Sequence, residues 1–442
     1  MASKISFIWN NIFNNQFKNV QRNIHHNIKV KMDPIFGLKE KRIDYTHLKI
    51  YSIDPENCTD ADDAFSIYKD NNFIHLMIHI ADPTSYFNPN DLLFNDILKN
   101  GATVYLSNRE PDHLFPSNIL EECSLVNGIK NVIIIHTIML PDFEIVSSKV
   151  EFGIINCDNG YRYSYDNAPN NLDETLLLGL DIAKSFRLNR INTLNDLTLV
   201  VPTIKDDCVI LKPDTPEVRL MKNMICEFAI HANTIFASEL DIDNLFLRKL
   251  ELCADDYNNL NSIHDLIKDG ISANYTTIYK MHDLIGTNKI YTHSTSPLRR
   301  TSDCIVHFLL KSKYLNIEAP FSKQQLEIYS EHLNKKSKDM KNIQFKDFKL
   351  RTFQWIAEEL ECRLNPIKIR VKNMGIHGPF INLMIIKIDD MDVNISYTLK
   401  NSRKIINIDF DEINIDITKI NNYNKFDEGT LPELDNIINK TG

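Results

Sequence analysis

Four aspartates lie within ten residues of one another, directly after a segment with the alternating pattern of a β-strand. The strand pattern covers residues 47–53, and Pro55 ends it. The aspartates stand at the end of this strand and in the loop that follows: Asp54, Asp60, Asp62 and Asp63. Residues 64–69 and 73–81 then predict a β-hairpin. Strands on both sides favour a fixed acidic site over a mobile surface loop.

The spacing of the aspartates favours a site for a divalent cation. Asp60 and Asp62 are two residues apart in an extended segment and can face the same way as Asp54, while Asp63 can complete the cage from a turn. Four carboxylates this close repel one another, so without a cation at least one would have a raised pKa or swing into water. Oxygen ligands without His or Cys select Mg²⁺ or Mn²⁺ over zinc. Such a site can ionise a water and stabilise both the attacking and the leaving oxygen of a phosphodiester.

Two other interpretations of the aspartates stay open on spacing alone. A solvated acidic loop is the commonest meaning of such a string. A calcium loop of the EF-hand type is the second, but Phe65 occupies the sixth position counted from Asp60, where that loop needs glycine.

Length and charge limit the classes of protein. The 442 residues, 43% of them hydrophobic, predict two or three domains, or one large catalytic domain with a small appendage. A net charge of −9 argues against a protein that coats duplex DNA, whereas an enzyme that threads one strand needs only local positive charge. The eight cysteines form no CxxC pair, which favours the cytoplasm or another reducing compartment. No apolar run can span a bilayer, so we expect no membrane partner.

The N-terminal 32 residues contain no Asp or Glu. Their basic residues are Lys4, Lys18, Arg22, Lys29 and Lys31. This composition predicts a basic, flexible or docking arm, and an organelle transit peptide is the alternative.

Helical and β-rich patterns organise the rest of the chain. Helices are predicted over 174–192, 216–240, 302–314 and 323–363, and β segments over 367–371, 380–388 and 393–399. Within the last helix, residues 333–351 carry seven Lys or Arg against two Asp. This stretch is either an RNA-gripping surface or a solvated helix face.

Four blocks, in order over roughly residues 45–310, resemble the signature motifs of the RNase II (RNB) family of exoribonucleases. The first is the aspartate segment, from Ile53 to Ser66. The others are His79-Ile-Ala-Asp-Pro83, Ala102-Thr-Val-Tyr-Leu106 with Cys123-Ser-Leu125, and Tyr291-Thr-His-Ser-Thr-Ser-Pro-Leu-Arg-Arg300 with Asp303 and His307. Any one block is weak, but the four in family order are specific.

The resemblance implies a role for each matching residue. The four aspartates match the metal-site aspartates, and Arg299 matches the catalytic arginine, whose planar fork suits charge growing on the scissile phosphate. Tyr165 matches a tyrosine that stacks on the terminal base, Tyr105 a second aromatic contact, and Glu227 a helix glutamate near the RNA 3′ end. Further candidate RNA contacts are Arg300 and Ser296, the latter with Ser294 and Thr295 as hydroxyl groups that could meet the ribose 2′-OH.

Each candidate also has a purely structural explanation. The pair Arg299–Arg300 can form an ion pair at a helix start, Tyr105 and Tyr165 can be core aromatics, and Glu227 can be a salt-bridged helix residue.

The resemblance implies an α+β fold, with an RNB-type catalytic domain of a mixed sheet surrounded by helices and a small, β-rich, OB-like domain. We expect residues 1–45 to be the arm and connector, 46–365 the catalytic domain and 366–442 a degenerate OB-like RNA-binding domain. Family members typically carry two cold-shock-type domains first, and about 45 residues cannot hold even one. The basic stretch 333–351 and the arm are therefore predicted to replace part of that RNA grip.

The expected function is hydrolytic, Mg²⁺-dependent (Mn²⁺ being an alternative) degradation of single-stranded RNA from its 3′ end to 5′-mononucleotides, by a monomer. A catalytically idle RNA-binding or scaffold protein with the same fold is the main alternative. A related nuclease with altered polarity or tolerance of DNA is the third. The full set of aspartates with Arg299 favours the first.

Overall fold

The computed structural model describes residues 2–18, 20, 36, 42–70, 72–190, 200, 202–205, 208–252, 272–285, 289–378, 380–400, 410–421 and 431–432. The fold is α+β, with a large mixed sheet, surrounding helices and a small antiparallel sheet near the C-terminus, which confirms the predicted fold class. The described helices are α1 (Ala2–Gln16), α2 (Leu92–Asn100), α3 (Ser117–Cys123), α4 (Glu174–Asn189), α5 (Pro216–Glu239), α6 (Thr301–Leu315) and α7 (Lys323–Cys362). The described strands are β1 (Ile43–Asp44), β2 (Ile50–Asp54), β3 (Asp63–Asp70), β4 (Phe73–Ala81), β5 (Ile129–Met139), β6 (Ile145–Asn156), β7 (Gly160–Ser164), β8 (Thr203–Lys205), β9 (Cys208–Ile210), β10 (Leu247–Lys249), β11 (Asn274–Thr276), β12 (Ile367–His377), β13 (Phe380–Ile388), β14 (Met391–Lys400) and β15 (Glu412–Ile417).

The large sheet has the strand order β1-β6-β5-β4-β3-β2-β7. β1 pairs with β6 and β2 with β7 in parallel, and the other pairings are antiparallel. The predicted hairpin is confirmed as β3–β4, in which Asp63 pairs with Ile80. β7 can lie beside β2 because it begins at Gly160, where a Cβ atom would be 1.8 Å from the carbonyl oxygen of Ile50. This pairing places the end of β7 next to Asp54.

The main core lies between the large sheet and its helices. Residues 133–135 of the inner strand β5 are all fully buried, which is why this strand is a continuous apolar run rather than an alternating one. α5 begins where the Thr215 hydroxyl accepts a hydrogen bond from the Val218 amide and Pro216 takes the first helical position. None of the described helices combines the length and the apolar character that a membrane crossing requires.

The C-terminal sheet is an antiparallel meander in the order β14-β13-β12-β15. Helix α7, which begins with a capping box at Ser322, leads to it. Leu350 and Phe353 of α7 are fully buried with the strands in a second core. An OB barrel has five strands, and the described part of residues 366–442 contains four. Closure into an OB-like barrel, and the predicted domain boundaries, therefore stay predictions.

The beginning of the chain forms a packed helix, which favours a docking arm over a flexible one, the two forms of arm that the sequence left open. Residues 2–16 form α1, and Trp9 and Phe13 are completely buried in the second core, with Phe17 almost so. The guanidinium of Arg351 lies 3.5 Å above the centre of the Phe13 ring. Apolar residues at intervals of four define a buried helix face. The prediction of an arm rested on the absence of acidic residues and did not take this periodicity into account. The remaining basic residues of the expected arm, Arg22, Lys29 and Lys31, lie outside the described residues.

Candidate active site

The aspartate loop connects β2 to β3, and hydrogen bonds to residues 124 and 125 hold it in place. Its first member, Asp54, is the last residue of β2, and Asp63 is the first residue of β3, so Asp63 starts a strand instead of standing in the predicted turn. Between them, the Ala61 amide donates to the Ser124 hydroxyl at 2.9 Å, and the Leu125 amide donates to the Ala61 carbonyl at 3.0 Å. The block around residues 123–125 thus serves to hold the loop.

Asp62 is the most enclosed of the four, with 5% of its surface exposed. Its Oδ1 accepts a hydrogen bond from the Leu298 amide at 2.7 Å, and its Oδ2 accepts one from Arg299 Nε at 3.2 Å. Burial raises the pKa of Asp62 well above its usual range, although Arg299 and the Leu298 amide favour the charged form. The late arginine block and the aspartate loop therefore meet at this residue.

Asp60 has a different environment. The Tyr105 hydroxyl donates to its Oδ2 at 2.6 Å, and His113 Nδ1 lies 3.6 Å from the same oxygen. Burial alone would raise the pKa of Asp60, but His113 and Tyr105 outweigh it, so that the pKa lies below the usual value. Tyr105 is thus fixed to the acidic site by its hydroxyl.

Asp54 and Asp63 repel each other. Burial, followed by the charge of Asp54, raises the pKa of Asp63 to about 7, against the opposing effect of Arg299 and Arg300. Burial also raises the pKa of Asp54. Next to them, the Tyr165 amide donates to the Asp54 carbonyl at 3.1 Å, directly after β7. Burial and the charges of Asp63 and Asp54 raise the pKa of the Tyr165 phenol.

The chemistry of this donor set fits a hard divalent cation. The four aspartates offer oxygen atoms only, and the raised pKa values of Asp54 and Asp63 mark carboxylates whose charge a cation would stabilise. In the part of the chain that the structure describes, no three His, Cys, Asp or Glu side chains converge closely enough to hold a metal ion. Asp60 and Asp62 instead direct oxygens to Tyr105 and Arg299. Assembly of all four into a cage stays a prediction.

The two arginines at the start of α6 have different surroundings. The Arg299 side chain is 44% exposed, and its Nη2 donates to the Ser296 hydroxyl at 2.9 Å, so Ser296 positions this guanidinium. Arg300 instead makes a two-pronged contact with buried Asp303, at 3.0 and 2.8 Å. The expected ion pair at a helix start is therefore formed by Arg300, while Arg299 keeps an exposed face.

A basic cavity of about 270 Å³ opens beside the aspartates. Tyr105 and Arg299, which hydrogen-bond to Asp60 and Asp62, form part of its wall. Five cations line it: Arg248, Arg299, Arg300, Lys336 and Lys341. It is bounded by the segment around residues 101–105, the loop before α6 and the middle of α7. If the end of a polyanion reached the aspartates, its phosphates could bind to these five cations.

The remaining candidates occupy less open positions. Glu227 is 3% exposed and forms a two-pronged ion pair with Arg190, which is the structural alternative for this residue. Tyr165 is half-buried, and Lys222 Nζ lies 5.7 Å from the centre of its ring. Ser294 and Thr295 are buried. The Ser294 amide donates to Asn233 Oδ1, and Asn233 Nδ2 donates to the Thr295 hydroxyl. An RNA contact by any of these residues stays a prediction.

Several residues of the site were not predicted from the sequence. His113 beside Asp60 and Arg248 in the cavity stand alone in segments without a motif. Only the fold brings them to the site, so no local pattern could have singled them out. Ser124 lay within a recognised block, but its hydrogen bond to the Ala61 amide depends on tertiary contact.

The RNB domain profile matches residues 42–270, more than half of the chain. The chain therefore belongs to the RNB family, which confirms the resemblance drawn from the four blocks.

Three particular proteins show how far the similarity extends. The human exosome complex exonuclease RRP44 is 28% identical over 333 residues, which cover 61% of this chain and 34% of RRP44. The chain thus spans about a third of that relative's length. The apo form of Mycoplasma genitalium RNase R matches with a TM-score of 0.70 at 18% identity, over 93% of this chain and 76% of that one. Yeast Ssd1, a pseudonuclease, matches with a TM-score of 0.66 at 18% identity, over 94% of this chain and 57% of that one. The fold is shared by both.

Proposed function

We propose that this chain is a Mg²⁺-dependent hydrolytic exoribonuclease, which degrades single-stranded RNA from the 3′ end to 5′-mononucleotides. The observation that carries the proposal is the contact between Arg299 and Asp62 at the mouth of the basic cavity. A half-exposed arginine between an acidic cluster and a cation-lined cavity is placed to meet a phosphodiester. The RNB family membership and the exonuclease RRP44 among its relatives support the same conclusion.

The chain's own residues supply binding and charge neutralisation. The cavity cations would hold the backbone phosphates, and Arg299 would neutralise the charge that grows on the scissile phosphate. Tyr105 and Tyr165 flank the aspartates and would stack on the terminal bases. Ser296 would keep the Arg299 fork in place.

Asp54, Asp60, Asp62 and Asp63 would hold the Mg²⁺, or Mn²⁺, ion. When bound, such an ion supplies an ionised water at neutral pH and stabilises the leaving oxygen. The Leu298 amide and Arg299 Nε would keep the Asp62 carboxylate oriented within that site.

An idle RNA-binding protein is the second candidate. Yeast Ssd1, a pseudonuclease, shares the fold. In the described residues, no three carboxylates lie close enough together to hold a metal ion. The presence of all four aspartates together with Arg299 favours the enzyme. We further propose that the protein acts as a monomer, in the cytoplasm or another reducing compartment, with an organelle as the alternative.

The test uses single-stranded RNA labelled at its 5′ end, or within the chain, in Mg²⁺ and in EDTA. The enzyme releases mononucleotides from the 3′ end only in Mg²⁺, and an RNA blocked at its 3′ terminus resists. Internal cuts, or cleavage that persists in EDTA, would contradict the proposal. Tight binding of RNA without any cleavage would favour the idle protein.

A further inference from the structure

A second basic cavity lies on α7 and adjoins the one beside the aspartates, with which it shares lining residues. It has a volume of about 770 Å³ and is an open groove, which we call the α7 groove. Its defining residues are Asn274, Lys335, Lys338, Lys341, Phe345 and Phe348. Ser337, Lys341 and Gln344 line both cavities. A strand that leaves the first cavity along α7 therefore enters this groove.

The groove follows one stripe of α7. Asn334, Lys338, Lys341, Phe345 and Phe348 are spaced by alternating intervals of four and three, which puts them on one helix face. Fourteen residues of helix span about 21 Å, which corresponds to roughly six nucleotides at the 3.4 Å rise of a stacked strand. The stripe is thus long enough for several nucleotides.

The opposite wall of the groove is held in place by hydrogen bonds between a side chain of α7 and the backbone of β11. The Tyr275 amide of β11 donates to Asn334 Oδ1 at 2.7 Å, and Asn334 Nδ2 donates back to the Tyr275 carbonyl at 2.9 Å. This clamp fixes Asn274 and its neighbours against α7, so the groove is a built feature of the fold.

The surface chemistry matches a nucleic-acid strand. Among the described residues, no carboxylate forms an ion pair with Lys335, Lys338 or Lys341. Phe345 leaves 48% of its surface exposed next to these cations. An exposed aromatic ring beside such cations can stack on a base while the cations hold phosphates. Phe348, one turn further along, is half-buried. An acidic protein segment would use the cations but not the ring faces.

We infer that the α7 groove binds the part of a single-stranded RNA that lies 5′ of the nucleotides in the active-site cavity. Phe345 and Phe348 stack on bases, and Lys335 and Lys338 contact phosphates. This inference rests on the proposed function for the polarity of the strand, and it adds a second binding segment that sets how long an RNA must be to bind well.

The test compares two RNAs, of about 4 and about 16 nucleotides, by fluorescence anisotropy in EDTA, where no cleavage occurs. One variant combines Lys335→Gln with Lys338→Gln, and another is Phe345→Ala. Lys341 is left unchanged because it also lines the active-site cavity. The matched charge control is Lys323→Gln, at the start of the same helix, with Lys184→Gln on α4, both exposed. The aromatic control is Phe73→Ala at the far end of the β3–β4 hairpin.

Both groove variants are expected to bind the long RNA about fivefold or more weakly, and to bind the short RNA as wild type does. In the lysine variant, the slope of log K against log salt should fall by about 1.4, for two lost phosphate contacts. Wild-type affinity of the groove variants for the long RNA, or an equal loss in the controls, would overturn the inference. A wild-type protein that binds neither RNA would instead contradict the proposed function itself.

Discussion

Arg299 Nε donates a hydrogen bond of 3.2 Å to Oδ2 of Asp62, across 237 positions of the chain. The adjacent Leu298 amide donates to the other oxygen of the same carboxylate. The start of α6 and the loop between β2 and β3 are thereby locked together at the point where the basic cavity reaches the aspartates. Changes on either side of this contact therefore test the proposed cleavage centre directly.

Replacing Arg299 tests the arginine side. Loss of a transition-state donor typically lowers kcat by about 10²–10³-fold, so we expect this loss for Arg299→Ala and most of it for Arg299→Lys, because lysine lacks the planar fork. RNA affinity should change little, since four other cations line the cavity. Ser296→Ala, which only frees the guanidinium, should give an intermediate rate. Single-turnover cleavage measures these rates, and a wild-type rate for Arg299→Lys would speak against the role.

Tyr165 tests the aromatic contact. It follows β7 directly, and its amide donates to the Asp54 carbonyl. Stacking of an aromatic ring on a base contributes about 1–3 kcal/mol. We expect Tyr165→Ala to weaken binding of a short RNA by about fivefold or more, and Tyr165→Phe to bind as wild type. Equal losses in the two variants would show that the hydroxyl, rather than the ring face, matters.

Glu151 tests the electrostatics of the sheet, away from the site. Burial would raise its pKa, but His136, Lys149 and Tyr45 lower the pKa from 4.5 to about 2. A lowered folded-state pKa means that the stabilisation is complete above about pH 4.5 and is lost as the pH falls toward 2. Its upper limit is roughly 3 kcal/mol.

Urea unfolding at several pH values checks this. The free energy of unfolding of wild type should fall more steeply below about pH 4.5 than that of Glu151→Gln. Exposed Glu144→Gln is the control and should follow wild type. Parallel curves for wild type and Glu151→Gln would contradict the lowered pKa.

Trp9 tests whether α1 belongs to the folded unit. Truncating a fully buried Trp to Ala typically costs about 3–5 kcal/mol, which is a large part of a usual folding free energy of about 5–15 kcal/mol. Trp9 is completely buried, so Trp9→Ala should lose that amount in urea unfolding, while exposed Asn14→Ala should lose little. Near-equal stabilities would mean that α1 is not packed as described.

The sequence predicted those parts of the molecule that have local patterns. The β3–β4 hairpin, α5 and the RNB family followed from periodicity and motif order. Ion pairs of Glu227 and of Arg299 or Arg300 were among the alternatives. The sequence could not predict Arg190 as the partner of Glu227, the choice of Arg300, or the approach of Arg248 to the cavity. These depend on segments distant in the chain or on which of two neighbouring arginines turns inward.

The most direct measurement compares wild type with Asp62→Asn on one single-stranded RNA, with binding and cleavage read from the same preparation. Asn keeps the size of the side chain and can still accept a bond from the Leu298 amide, but it removes the charge from the acidic cluster. We predict that the variant binds RNA with wild-type affinity and releases no mononucleotides in Mg²⁺. An Asp62→Asn protein that degrades RNA at the wild-type rate would contradict the assignment of the aspartate cluster as the cleavage centre.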